Sequence, residues 1–130
     1  MILKGRPIFR GQVEGQTLCS SMGISFFGGV DPDSGKIVEK GHDLFSQSIA
    51  GKILVFPTGK GSTVGSYTLY RLMKIGKAPC AILNSECETI IAVGCIISEI
   101  PCIDHLPLNY LASGMSVRVD GSEGTVEILP

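Results

Sequence analysis

The sequence predicts an α/β fold with a partly parallel sheet and a C-terminal β-hairpin. Three features carry that expectation. The run Ile53-Leu54-Val55-Phe56 after Lys52 is continuously apolar and bounded by Gly51 and Pro57, as in a strand covered on both faces. A strand-then-helix pattern follows and is repeated once, which implies right-handed crossovers between parallel strands. Near the end, Met115, Val117 and Val119 alternate with Ser116, Arg118 and Asp120, and Val126 and Ile128 alternate in turn. Asp120-Gly121 and Gly124 lie between the two runs, so they read as a hairpin.

In chain order, residues 6–14 and 22–27 read as short strands. Residues 28–35 are dense in Gly, Pro and Asp and read as a loop. Asp31 and Asp33 serve that turn, with contact to a partner chain as the alternative. Residues 36–40 add a further short strand. After the strand at 52–56 comes Thr58-Gly59-Lys60-Gly61-Ser62-Thr63, and a helix is expected over 63–75. Val64, Leu69, Leu72 and Met73 give it broad apolar coverage, with Tyr67 and Tyr70 expected among the core residues. Gly76 is a suitable stop, and Lys74 and Lys77 suit the negative end of the helix dipole. Residues 80–83 form the next strand, 87–97 a short apolar helix weakened by Gly94, and 101–104 a third parallel strand. With no repeat, low-complexity tract or linker, residues 1–130 are expected to form one unit.

Composition limits the functions open to such a fold. The chain has 130 residues, 44% of them apolar and 6% aromatic, with no Trp, so its core is to be built from Ile, Leu, Val and Ala. Seventeen glycines suit many turns and close backbone approaches. The net charge is −1 and the basic residues are dispersed, which disfavours a nucleic-acid face. The first residues lack the apolar stretch of a signal peptide, and no run approaches the roughly 20 apolar residues that cross a bilayer. A soluble, cytoplasmic protein is expected. Cys19, Cys80, Cys87, Cys95 and Cys102 form no C-x-x-C pair and read as free thiols, mostly small buried hydrophobes. Their spacing suits neither zinc nor a ferredoxin cluster, so no metal site is expected in this chain. His42 and His105 stand alone in the sequence and read as surface or hydrogen-bonding residues.

The segment after the strand at 52–56 carries the chemistry. A Gly-rich turn that opens a helix directs free backbone N–H groups and the positive end of a dipole at one point. Gly59 and Gly61 permit close approach, Lys60 adds a cation, and Ser62, Thr63 and Ser66 add hydroxyls. A Walker A loop is excluded, because Gly61 follows Lys60 where Ser or Thr is required. On these grounds the segment is either an anion site or a Ser-capped helix start.

The runs Gly28-Gly29-Val30-Asp31-Pro32, Gly51-Lys52-Ile53-Leu54-Val55-Phe56-Pro57, Gly59-Lys60-Gly61-Ser62 and Ser66-Tyr67 resemble the small subunit of aconitase X-type dehydratases. The resemblance continues through Pro79-Cys80-Ala81-Ile82-Leu83 and Ile100-Pro101 to the terminal hairpin, nearly the whole chain. It departs at Thr63-Val64-Gly65, where relatives commonly carry small hydroxyl residues. The resemblance implies the swivelling β/β/α fold of aconitase swivel domains. It also implies a hydro-lyase subunit, active only as a heterodimer with a large subunit that holds a 4Fe-4S cluster and most of the substrate pocket. Ser62 is then the proton acceptor, and Gly59, Lys60, Gly61, Thr63 and Ser66 stabilise it or touch a substrate anion. For small subunits of this free-standing length the implied substrate is (R)-5-phosphomevalonate and the product trans-anhydromevalonate 5-phosphate, on an archaeal isoprenoid route. The alternatives are cis-3-hydroxy-L-proline as substrate, or a non-catalytic anion-binding module.

Overall fold

The computed structural model describes residues 1–130. In chain order its elements are β1 (Ile2–Lys4), β2 (Arg6–Phe9), β3 (Gln12–Cys19), α1 (Phe26–Gly29), β4 (Ile53–Phe56), α2 (Gly65–Lys74), β5 (Ala81–Asn84), α3 (Thr89–Ser98), β6 (Cys102–Asp104), β7 (Ser116–Asp120) and β8 (Thr125–Ile128). The eight strands form one mixed sheet in the order β1-β8-β7-β3-β4-β5-β6-β2. Pairing is parallel from β3 through β4 and β5 to β6, and antiparallel at both ends.

The apolar run at 53–56 becomes the middle of the parallel region, and all four of its residues are buried. Side chains alternate across a strand, so the run serves two cores. Leu54 and Phe56 pack with Ile82, Leu69, Leu72 and Ile91 on the helix side. Ile53 and Val55 pack with Leu83, Ile103, Val117 and Val126 on the other. The hairpin β7–β8 supplies that second layer. β3 links the two regions, pairing with β7 through residues 12–16 and with β4 through residues 17–19.

Helix boundaries follow local chemistry. The Glu88 side chain accepts from the Ile90 amide at 2.9 Å and caps α3. Gly76, at φ 74°, ends α2, with the Lys77 amide donating to the Leu72 carbonyl at 2.8 Å. Gly94 is a contact between helices: a Cβ there would lie 2.7 Å from Leu69 Cδ1. The residue expected to weaken α3 is the one that lets α2 approach it.

Four local expectations are corrected. Residues 6–14 are two strands, divided at Gly11, whose φ of 126° breaks the extended run. Residues 22–27 are no strand. Ile24 makes one isolated bridge to Gly59, and the chain then turns into α1 to bury Phe26. Residues 36–40 contribute only single bridges, Val30 to Ile37 and Lys36 to Ser48. Tyr67 and Tyr70 lie outside the core, 69% and 37% exposed. The buried face of α2 uses Gly65, Ser66, Thr68, Leu69 and Leu72, and the close approach of α3 leaves no room there for rings.

Candidate active site

Parallel strands β3, β4 and β5 run the same way, so the segments that follow them emerge at one edge of the sheet. Ligands of open α/β sheets bind beyond the carboxyl ends of such strands. Here the segment after β3 and the one after β4 meet in a short parallel ladder. The Ile24 amide donates to the Thr58 carbonyl at 3.3 Å, and the Lys60 amide donates to the Ile24 carbonyl at 3.0 Å.

The two glycines of the turn are sterically required. A Cβ on Gly59 would lie 2.4 Å from Ile91 Cγ1, and one on Gly61 would lie 2.3 Å from Ser25 Oγ. Gly61 also has a φ of 94°, which side-chain-bearing residues rarely adopt. The chain therefore threads between Ser25 and Ile91 and reaches Ser62 in the open. Ser62 and Thr63 are exposed. The Val64 amide donates to Ser62 Oγ at 3.2 Å, and the Gly65 amide donates to the Ser62 carbonyl at 3.0 Å. These bonds fold residues 62–64 into a turn, so α2 starts at Gly65 and not at Thr63. The amides of Gly61, Ser62 and Thr63 donate to no group within the chain. Three consecutive free donors thus lie in the same turn as an exposed hydroxyl, ahead of a ten-residue helix.

The remaining residues singled out from the turn are placed as follows. Ser66 is buried, and its hydroxyl donates to the Thr63 carbonyl at 3.1 Å, so it braces the turn from inside. Lys60 is exposed and its Nζ lies 3.0 Å from Glu39 Oε2. Its stem crosses Gly23, where an added Cβ would sit 3.6 Å from Lys60 Cδ. His42 is buried, with Nε2 3.0 Å from the Gly23 carbonyl and Nδ1 accepting from the Leu44 amide at 3.0 Å. It ties the 39–44 segment to the strip that flanks the turn. His42, read as a surface or hydrogen-bonding residue, is hydrogen-bonded and buried, whereas Glu39 and Ser25 are the site residues that sequence reading missed. Their neighbours in space lie about 20 to 40 positions away, and no motif joins them.

Asp31 is a turn former: its carboxylate accepts from the Asp33 amide at 2.9 Å and the Ser34 hydroxyl at 3.0 Å. Those bonds hold its carboxyl below the ordinary range. Asp33 pairs with Arg71 on α2.

No cluster-binding set is built by these thiols. Cys87 and Cys102 are 3.9 Å apart, and Cys102 and Cys95 are buried in the sheet and α3. Cys19 and Cys80 sit on β3 and before β5. Hydrogen bonding with Cys102, then burial, pushes the Cys87 thiol up, away from the thiolate that a cluster needs. The residues of this chain do not fit an iron–sulfur cluster. Glu86, Asp104 and His105 also converge, but the Arg6 guanidinium already occupies both Asp104 oxygens, at 2.9 and 2.8 Å.

A mixed sheet with a parallel centre, presenting a hydroxyl on a Gly-rich turn at one edge, defines a swivel-type α/β domain. The chain belongs to the aconitase X swivel domain family, whose model matches residues 2–128. It is 55% identical over 129 residues to the phosphomevalonate dehydratase small subunit of Thermococcus kodakarensis, covering 99% of this chain and 97% of the relative. The protein of the same name from Methanosarcina acetivorans is 56% identical over 130 residues, with 98% and 90% covered. Among solved structures, the holo-form of aconitase X from Thermococcus kodakaraensis superposes with a TM-score of 0.98 at 54% identity, over 100% of this chain and 99% of that one. A relative solved in solution by NMR gives 0.91 at 44% identity, over the full length of both chains. No helix is long and apolar enough to cross a membrane.

Proposed function

We propose that this chain, acting as one swivel domain over residues 1–130, is the small subunit of a dehydratase that converts (R)-5-phosphomevalonate to trans-anhydromevalonate 5-phosphate, with Ser62 as the proton acceptor. The observation that carries this reading is the exposed Ser62, in one turn with the free amides of Gly61, Ser62 and Thr63. The names of relatives at 50% identity and above supply the substrate. This chain has free thiols, which suit the reducing cytoplasm.

The reaction removes a proton from the carbon beside the carboxylate and the hydroxyl from the next carbon. Ser62 Oγ, in its alkoxide form, takes the proton. The electrons of that C–H bond become the new double bond as the C–O bond breaks; the hydroxide leaves and is protonated to water, and Ser62 then gives up its proton to restore the base. A serine alkoxide is costly in water. Free amides and the start of α2 stabilise it once closure excludes solvent. Gly59 and Gly61 let the turn pass, Ser66 braces it, and Lys60 and Thr63 face the substrate's anionic groups. In this reading a 4Fe-4S cluster would be held by the large subunit and not by this chain, and the chemistry it would supply there is Lewis acidity.

The test is anaerobic reconstitution with the large subunit, assayed on phosphomevalonate and on cis-3-hydroxy-L-proline. Turnover of the first substrate is expected, with none by the chain alone. Ser62→Ala should lower kcat by about a thousandfold or more, a loss of about 4 kcal/mol of barrier reduction, with assembly unchanged. Retained turnover would remove Ser62 from its role, and preference for hydroxyproline would replace the substrate.

A further inference from the structure

α3 departs from the pattern of a surface helix. A helix with one buried face ordinarily turns charged or polar residues to solvent. α3 buries Ile91, Gly94, Cys95 and Ser98, yet no charged residue lies between Thr89 and Ser98. Its outer face carries Val93, Ile96 and Ile97, exposed by 43%, 50% and 39%. α2 continues the apolar surface with Tyr67, and the turn ahead of it adds Val64 at 44% exposure. The Val64–Tyr67 ridge separates two hollows. One, of about 290 Å³, lies toward Ile90 and Val93 on α3. The other, of about 550 Å³, lies toward Phe27 and Val38. An exposed apolar expanse of this kind marks an interaction site.

We infer that this face is the seat of the large subunit, and that docking on the Val64–Tyr67 ridge sets the Ser62 hydroxyl. The inference rests on the two-subunit reading above and assigns the surface that reading requires. Two observations select this occupant. First, the ridge begins two residues after Ser62, so whatever covers it also covers the proposed base. A second copy of the chain seated there would close each Ser62 against an identical surface and leave no access for substrate. Second, the charged groups beside the hollows are engaged within the chain, Lys60 with Glu39, Arg71 with Asp33, and Asp31 by the Asp33 amide and the Ser34 hydroxyl, so the patch offers a partner mainly apolar contact. The complementary surface must be apolar, with side chains that enter the two hollows. Docking and chemistry are joined at one residue. Val64 lines both hollows, and its backbone N–H is the donor to Ser62 Oγ.

Association of the full-length chain with the large subunit, measured by sedimentation velocity, tests the inference. Tyr67→Glu and Val93→Glu should each weaken association by about a hundredfold or more, as charges buried in an apolar contact do. Ile2→Glu, at a position 64% exposed on the far edge strand β1, should change it by less than about twofold. Circular dichroism of each isolated chain checks folding, and a misfolded variant is replaced by Ile97→Glu. Val64→Ala, saturated with large subunit, should lose about tenfold in kcat, whereas Ile2→Ala, on the far edge strand, should not. If the wild type assembles and Tyr67→Glu assembles equally well, this surface is not the seat. A homodimer of the isolated chain that Tyr67→Glu dissolves would give the face to a second copy. If the wild-type chain never binds a large subunit, the two-subunit reading falls and takes this inference with it.

Discussion

The Lys60 ammonium lies 3.0 Å from the Glu39 carboxylate, so the one cation of the Gly-rich turn is committed within the chain. From the sequence, Lys60 reads as a free charge beside Ser62. In the structure its stem runs across Gly23 and its charge is held by a residue 21 positions earlier. Both side chains are partly solvated, 47% and 29% exposed, which makes the pair weak enough for a substrate anion to displace.

Removing the competitor should therefore help binding. An exposed pair contributes about 0.2–1 kcal/mol, so Glu39→Gln is expected to lower KM for the anionic substrate by up to about fivefold, with kcat little changed. Lys60→Met should raise KM by about tenfold, or 1.4 kcal/mol. Steady-state kinetics of the two variants decide the matter. A rise in KM for Glu39→Gln equal to that for Lys60→Met would show that Glu39 orients the lysine and does not compete for it.

Gly61→Ala challenges the turn directly. The added Cβ would meet Ser25 Oγ at 2.3 Å, and the φ of 94° remains unfavourable for alanine. The expected result is a loss of about 1–2 kcal/mol in stability from backbone strain and a fall in kcat of about a hundredfold from displacement of Ser62. Ser25→Gly in the same chain removes the clash but not the strain, so it should restore part of the activity. Wild-type kinetics in Gly61→Ala would show that the turn tolerates the extra atom.

What could be read beforehand follows from how local each signal is. The strand at 53–56, the helix stop at Gly76 and the terminal hairpin obey short-range rules of burial, capping and alternation, and all three stand. Residues 22–27 carry a β-like composition, yet Ile24 is extended only far enough to bridge Gly59, 35 positions later. Composition does not encode that distance. The exposed hydroxyl ahead of α2 was legible because strand, glycines and helix are contiguous. Glu39 and Ser25 were not, because each reaches the turn through space, and the part His42 plays, through Gly23 beside the turn, is likewise set by the fold. Apolar character alone points Tyr67 inward. Its outward position shows that an amphipathic pattern cannot separate a core face from a face awaiting a partner.

His42 offers a test of how far the turn depends on its surroundings. Its ring bridges the Gly23 carbonyl and the Leu44 amide, both near 3.0 Å, in a buried setting. His42→Ala leaves both backbone groups without that partner, at a cost of about 2–3 kcal/mol measured by urea unfolding. Gln, which has both an acceptor and a donor, should recover about half of that loss. Amide exchange at Ile24 and Lys60 should quicken in His42→Ala. If exchange there is unchanged, the loop containing His42 does not support the turn.

Acid should unfold the chain through Asp104. Its side chain is fully buried, and burial alone would raise its pKa. The Arg6 guanidinium, with two hydrogen bonds, and the Cys87 amide at 2.8 Å outweigh that effect and hold the carboxyl below its ordinary range. Asp43 behaves in the same way: burial opposes its charge, but the Ser20 hydroxyl and the Ser21 amide lower it overall. A carboxylate whose folded pKa is depressed binds its proton more readily when unfolded. Its stabilisation is complete above the unfolded value of about 3.9 and is lost as pH falls toward the folded value. Urea unfolding should give a stability free of these two contributions to slope from neutral pH to about pH 5, then a decline that steepens below about pH 4. Asp104→Asn should lose about 2 kcal/mol at neutral pH, the scale of a charge-assisted hydrogen bond, and should decline less steeply in acid. An acid limb as steep in Asp104→Asn as in the wild type would place the responsible carboxylate elsewhere.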